Sequence, residues 1–335
     1  MGQGHGGHGH DHGHGHGVSA DTDRKWLGIA LALILAFMAA EVVVGVIAGS
    51  LALISDAGHM LTDAAAIALA LVAIRLSARP ARGHFTFGLK RVEILSAQVN
   101  GITLLLLTAF FVVEGVRRLI EPPEVEGALV LITALVGIAV NLAATWCISK
   151  ANRSSLNVEG AFQHVLNDLY AFIAAAVAGA AVLWFGFARA DAIAALIVAA
   201  LMAKAGWGLV RDSGRIFLEA SPAGLDPDVI GSELVGLPDV TQVHDLHIWE
   251  ITSGQPALSA HVIVRHGADC HRAQTAVEQL LQDRHDLTHT TLQVDHCGPD
   301  QLSTDHCRDP HGKIHEAPAA VDNDVVVVPR PEKQP

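Results

Sequence analysis

The chain has 335 residues, of which 51% are hydrophobic and only 17% charged. That is well below the roughly one quarter charged usual in soluble proteins, and mean hydropathy is +0.38, so an ordinary soluble domain is excluded and an integral membrane protein expected. The net charge of −12 argues against nucleic acid as a partner, because phosphate contacts need clustered Lys and Arg. Cys147, Cys270, Cys297 and Cys307 have no CxxC spacing, and three lie outside the apolar region. They give no sign of a disulfide framework and fit a reducing compartment.

The first 25 residues are polar. They begin MGQGHGGHGHDHGHGHG, with His5, His8, His10, His12, His14 and His16 alternating mainly with Gly. With no apolar payload to offset the entropy of ordering, residues 1–25 are expected to be a disordered arm. Its composition fits a weak, dynamic metal-collecting tail better than a purification tag, whose histidines are usually consecutive. No secretory leader is expected, since the first apolar segment is too long for one.

Six apolar segments follow, at about Trp26–Ala48, Leu51–Ile74, Val92–Val116, Gly127–Ser149, Leu156–Phe185 and Ala188–Val210. Each has the ~20 residues that carry a helix across ~30 Å of hydrocarbon, so the lipid bilayer is the first partner. Basic residues concentrate in alternate links: Arg75, Arg79, Arg82, Lys90 and Arg91 after segment two, Lys150 and Arg153 after four, Arg211 and Arg215 after six. By the positive-inside rule both termini are cytoplasmic, with Arg117 and Arg118 as a minor exception.

Beyond Arg215 the chain turns polar. Asp226-Pro227-Asp228 marks a helix start. TQVHDLHIWEI and PALSAHVIVR then read as strands around a Ser-Gly-Gln turn, DCHRAQTAVEQLLQDRH as an amphipathic helix and HTTLQVDHC as a third strand. The expected fold is therefore a six-helix α-helical membrane protein followed by an α-β-β-α-β domain. The domain boundaries are 26–212 for the membrane part, 213–297 for the soluble part and 298–335 for a disordered tail.

Two motifs carry chemistry. In segment two His59 precedes Asp63 by four residues, and in segment five His164 precedes Asp168 by four, so each pair shares one helical face. An ionisable residue at membrane depth is costly and is retained mainly for function. One such pair alone could be an interhelical hydrogen bond. Two identical pairs supply two imidazoles and two carboxylates, a tetrahedral zinc set whose charge cancels that of a divalent ion. Asp56, three residues before His59, either lines the approach and relays protons or bonds a neighbouring helix. Glu41, Gln98, Asn100, Glu114 and Asn141 are further polar positions in these segments, mostly assigned to helix packing.

The stretches SLALISDAGHMLTD, HFTFGLKRVEILSAQVNG, HVLND and VHDLHIWEITSGQPALSAHV together resemble the cation diffusion facilitators. The likeness is to the zinc-transporter branch, with HxxxD in both the second and fifth transmembrane helices. The resemblance implies a homodimer with a cytoplasmic domain of metallochaperone type, in the bacterial inner membrane, exporting divalent metal in exchange for protons. It places the transport site on His59, Asp63, His164 and Asp168. It also maps cytoplasmic zinc ligands onto His244, His261 and Asp295, while Gln293 stands where some relatives carry His, which puts a second bridged zinc in doubt. Asn167, Leu169 and Tyr170 occupy places where relatives commonly have small residues. A charge interlock at the level of Arg91 and Glu219 is implied as well; read plainly, the basic cluster only sets topology.

In an unbroken strand His244 and His247 point to opposite faces, so both serve one site only if the strand is bulged. His247, His296 and Cys297 are possible accessory ligands, and His285 and His289 read as surface residues. The mechanism has a physical basis of its own. Imidazole must be neutral to hold metal, so protons and Zn²⁺ compete for His59 and His164, and an inward proton gradient can drive metal out. There is no GxxxxGK[ST] loop, so ATP is not expected. An enzyme is disfavoured: no HExxH occurs, and the one His-Glu pair is His315-Glu316 near the end. The competing reading is a membrane-bound zinc sensor that binds metal without moving it.

Overall fold

The computed structural model describes residues 20–48, 51–121, 127–187, 189–296 and 312–317. Among them are six helices long and apolar enough to cross a membrane: α1 (Ala20–Ala48), α2 (Leu51–Ser77), α3 (Val92–Ile120), α4 (Gly127–Ile148), α5 (Leu156–Phe185) and α6 (Ala190–Phe217). The segments start and stop close to where hydropathy places them. The largest departure is α6, which continues seven residues past Val210 through Arg211 and Arg215. A helix is limited by its hydrogen bonds and caps, not by the edge of the hydrocarbon, so the expected domain boundary at 212/213 falls inside α6. The chain divides instead into one unit of Met1–Leu218 with Ile251–Gly254, and a second of Glu219–Glu250 with Gln255–Pro335.

In the helical unit, small residues set how closely helices approach. The α3–α6 contact is the most extensive. At its centre a Cβ on Gly101 would lie 2.9 Å from the side chains of Leu209 and Val210, and one on Gly206 would lie 3.0 Å from the Gly101 carbonyl. This is the close backbone approach by which membrane helices gain dispersion energy when lipid offers no hydrophobic driving force. Ser213 of α6 donates to Gln98 of α3 across the same interface. Gly137 of α4 likewise makes room for the Phe172 ring of α5. The polar positions assigned to helix packing divide in two: Gln98 joins helices, whereas Asn141 bonds the Gly137 carbonyl of its own helix. Glu114 pairs with Arg118 at 2.9 Å and Arg117 at 3.9 Å on α3.

Helix α5 is held at both ends. The Ser155 hydroxyl accepts from the Val158 amide and donates to Glu93 of α3, while Gly186 closes the helix in the left-handed region at φ 65°. A buried cluster of Met60, Ala64, Ile67 and Ala70 from α2 with Val158, Ala161, Phe162 and Val165 from α5 fills the space between these helices. Outward-facing Leu106, Val113, Ile132 and Val177 remain exposed, the apolar surface that a bilayer covers.

The second unit has the expected α-β-β-α-β order: α7 (Pro227–Leu234), β1 (Val240–Glu250), β2 (Pro256–Val264), α8 (Cys270–His285) and β3 (Thr290–His296). Asp226 caps α7 and Asp269 caps α8, each accepting backbone N–H groups of the first turn. β1 and β2 are antiparallel, β2 and β3 parallel. Val243, Ile248, Leu258, Ala260, Val262 and Val264 pack one sheet face with Ile230 and Leu234 of α7 and Val277 and Leu281 of α8.

The expectation of an irregular tail after residue 297 is corrected at residues 312–317. Here β4 (His315–Glu316) pairs antiparallel with β1 and completes the sheet order β3-β2-β1-β4. The Ala317 amide donates to the Thr241 carbonyl at 2.9 Å, and Asp228 of α7 lies 3.5 Å from Lys313 and 3.7 Å from His315. A two-residue strand has too little periodicity to be seen in the sequence; the unpaired edge of β1 specifies it. The valine run at 325–328 lies outside the described residues.

The His315 ring, only 6% exposed, seats on Gly231, where a Cβ would come within 2.3–2.7 Å of it. Gly231→Ala is therefore expected to release β4 at a cost of ~1–3 kcal/mol, the usual range for overpacking. Hydrogen exchange should show lost protection at Ala317, and trypsin should cut faster after Lys313, with β1–β3 unchanged.

Candidate metal centre

Helix periodicity alone places His164 and Asp168 on one face of α5, and the burial of α2 against α5 brings Asp63 to meet them. His164 Nε2 lies 3.0 Å from Asp63 Oδ1, with the side chains 1% and 10% exposed. One ligand atom from each of Asp63, His164 and Asp168 falls within 4.8 Å of the others, the one such cluster of three among the described residues. With bonds of 2.0–2.2 Å, tetrahedral zinc sets its ligand atoms about 3.3 Å apart, so the spacing suits a metal. His59 lies on the described backbone of α2 one turn before Asp63, and Asp56 two turns before it; their side chains are outside the described residues.

The state of His164 is the most telling feature. Neither ring nitrogen has a hydrogen-bond partner, although Nε2 lies 3.0 Å from Asp63 Oδ1. Buried polar groups are almost always paired, because an orphaned one costs ~1–3 kcal/mol. A buried imidazole 3.0 Å from one carboxylate and grouped with a second is a donor set of the kind that suits a divalent cation.

In the soluble unit, β1 carries a bulge. His244 pairs with His261 but His247 pairs with Ser259, and Asp245 between them adopts φ 48°. The extra residue restores parity: Val243, Leu246 and Ile248 face the core, while His244 and His247 both lie on the opposite face. The apolar spacing 243, 246, 248 is the sequence signal that foretells it. On that face His261 stands opposite Gln293 of β3, and Asp295 follows two residues on. The His244 and His261 rings are 5.2 Å apart, with His244 only 4% exposed. The two rings meet edge to face. Asp295, however, accepts from Gln293 at 2.8 Å and is not closed to ligand spacing with them.

Among the accessory residues, His296 Nε2 contacts the Ala268 carbonyl and His285 pairs with Glu233, both at 2.9 Å. Cys297 and the six arm histidines lie outside the described residues. Arg91 sits just ahead of α3, and Glu219 follows α6 with a left-handed φ of 56°.

Six spanning helices around a buried His/Asp cluster, followed by a small α/β domain, define a transporter of metal cations. The chain belongs to the cation efflux family: residues 27–218 match the profile described as the cation efflux transmembrane domain, and residues 223–297 match that of the cation efflux protein cytoplasmic domain. It is 34% identical over 289 residues to a cadmium, cobalt and zinc/H(+)-K(+) antiporter of Bacillus velezensis, covering 85% of this chain and 92% of the relative. It is 38% identical over 271 residues to the metal cation efflux system protein CzcD of Cupriavidus metallidurans, covering 80% and 85%. To the zinc transporter ZitB of Escherichia coli K12 it is 36% identical over 269 residues, covering 79% and 86%.

If the cluster binds metal, Asp63→Asn and His164→Ala should each remove one tight zinc equivalent per chain. Their affinity loss should exceed the ~10–100-fold that loss of an outer-shell partner costs. Competition with a chelating dye measures this, with zinc capacity of the soluble unit as internal reference.

Proposed function

We propose that the protein exports Zn²⁺ from the cytoplasm in exchange for protons, by alternating access around a site formed by His59, Asp63, His164 and Asp168. The observation that carries this is the buried His164 beside Asp63 and Asp168, with neither ring nitrogen hydrogen-bonded. Two neutral imidazoles and two carboxylates hold a divalent ion with little net charge, which a low-dielectric site requires. Protonating the same imidazoles expels the metal, so the two cargoes alternate at one place and the proton gradient supplies the energy. The printed names of the relatives, a zinc transporter and a cadmium, cobalt and zinc antiporter, agree with this chemistry. Mixed His/carboxylate ligands suit Zn²⁺ better than harder cations such as Mn²⁺, with Cd²⁺ and Co²⁺ as competing cargoes.

The protein acts as a homodimer with both termini cytoplasmic, in the bacterial plasma membrane. The match of residues 223–297 to the family's cytoplasmic domain supports this, as do the basic links after α2 and α4. His244 and His261 with Asp295 bind regulatory zinc, and the bulge makes His247 available on the same face.

Inverted vesicles with an imposed pH gradient test the reading. Wild-type protein is expected to take up zinc and to stop when a protonophore collapses the gradient, and Asp63→Ala to show no flux. Zinc binding without proton-linked flux in the wild type would favour the sensor. Deleting residues 2–17 should raise the apparent KM at low free zinc if the arm collects metal; an unchanged KM makes the arm a spacer.

A further inference from the structure

Two turns from the metal cluster, α2 and α5 are joined a second time. The Asn157 side-chain amide donates to the Ala70 carbonyl at 3.0 Å. Ala70 lies seven residues after Asp63 and Asn157 seven before His164, so on both helices this bond sits about 10 Å from the cluster. It lies toward the end of the bundle from which α6 runs on into the C-terminal domain, because α2, α4 and α6 are traversed in one direction. Between the two levels, Ile67 of α2 and Ala161 of α5 are both 0% exposed and belong to one apolar cluster. Each is within a turn of both levels on its own helix, so the pair forms a dry plug between cluster and bond.

Asn157 is itself 0% exposed, and its Oδ1 has no hydrogen-bond partner. Across Gly160, one turn from His164, lies Asn100 of α3: a Cβ on Gly160 would be 3.3 Å from its Nδ2. Asn100 is 2% exposed and that Nδ2 is also unpartnered, as is the hydroxyl of Ser96 one turn earlier on α3. Unpaired amides at membrane depth are costly. They suit a place that is dry in one state of the protein and wet in another.

We infer that Asn157 is the positioning residue that shuts the cytoplasmic approach to the metal site. Its amide ties α5 to the α2 backbone and keeps the Ile67–Ala161 plug closed. When the bond opens, the amides of Asn157 and Asn100 and the Ser96 hydroxyl become the polar lining along which a hydrated divalent cation reaches His164 and Asp63. This rests on the proposed transport site. It adds a residue that binds no metal in the closed state but decides when metal enters.

The test uses full-length protein in inverted vesicles, with Ala161→Cys as a reporter and the same protein lacking it as the blank for native cysteines. Asn157→Leu removes the donor. Asn157→Asp, nearly isosteric, replaces it with an acceptor facing the Ala70 carbonyl and covers the case that the leucine variant does not fold. With either change the reporter is expected to react two- to tenfold faster with a charged methanethiosulfonate, the population ratio that one net hydrogen bond is worth. The apparent KM for cytoplasmic zinc should fall as the entry-competent fraction rises. A purely structural Asn157 would lower transport without moving either readout. Unchanged labelling and KM in a folded Asn157→Asp variant overturns the proposal. Labelling uses no zinc, so a failed site assignment appears separately, as wild-type zinc binding by Asp63→Ala.

Discussion

The structure depends on keeping Asp63 and His164 together out of water. Their 3.0 Å contact is made inside a helical bundle, where a lone carboxylate or imidazolium is strongly disfavoured. Under the proposed function such a pair takes two occupants, a proton or a divalent cation, and the surrounding architecture serves that choice. The Ser155 cap and its link to Glu93 hold the start of α5. Gly137 and Gly160 leave room for the Phe172 ring and the Asn100 side chain, so that α4 and α3 close on α5. The α2–α5 apolar cluster then excludes water from one side of the site.

Close packing and polar seams divide the labour within the bundle. The α3–α6 contact is tight backbone against backbone at Gly101 and Gly206, which makes these helices one rigid element. The α2–α5 contact is different, with large apolar side chains bounded by the metal cluster at one level and an asparagine–carbonyl bond at the other. An interface held by few directional bonds opens when those bonds break, whereas close backbone approach must be lost along its whole length. The proposed alternating access calls for such a contrast between a fixed contact and one that can open.

Much of this was legible in the chain. Hydropathy located all six helices, with α5 matching Leu156–Phe185 at both ends, because a spanning helix must be apolar over a fixed length. The duplicated His-xxx-Asp motif named Asp63, His164 and Asp168 before any geometry existed, since spacing of four fixes a common helical face. Other features depend on partners distant in sequence. The Asn157–Ala70 bond joins residues 87 apart, and Asn157 alone reads as an ordinary helix-start residue. β4 exists because β1 offers an edge, not because His315 and Glu316 favour a strand. The bulge at Asp245 was written in the spacing of Val243, Leu246 and Ile248, but strict alternation conceals it.

The short strand at His315–Glu316 also bears on solubility. Without it β1, eleven residues long, would border the sheet and offer a row of free N–H and C=O groups to any other chain, the usual template for aggregation. With it, Gln242 and Val243 of β1 are paired, so the start of that edge is taken by the chain's own tail. The opposite border, β3, alternates Thr291, Gln293 and Asp295 on its outer face, so a foreign strand would gain little apolar contact there. A few residues of the chain's own tail thereby take up backbone hydrogen bonds that a strand of another chain could otherwise use.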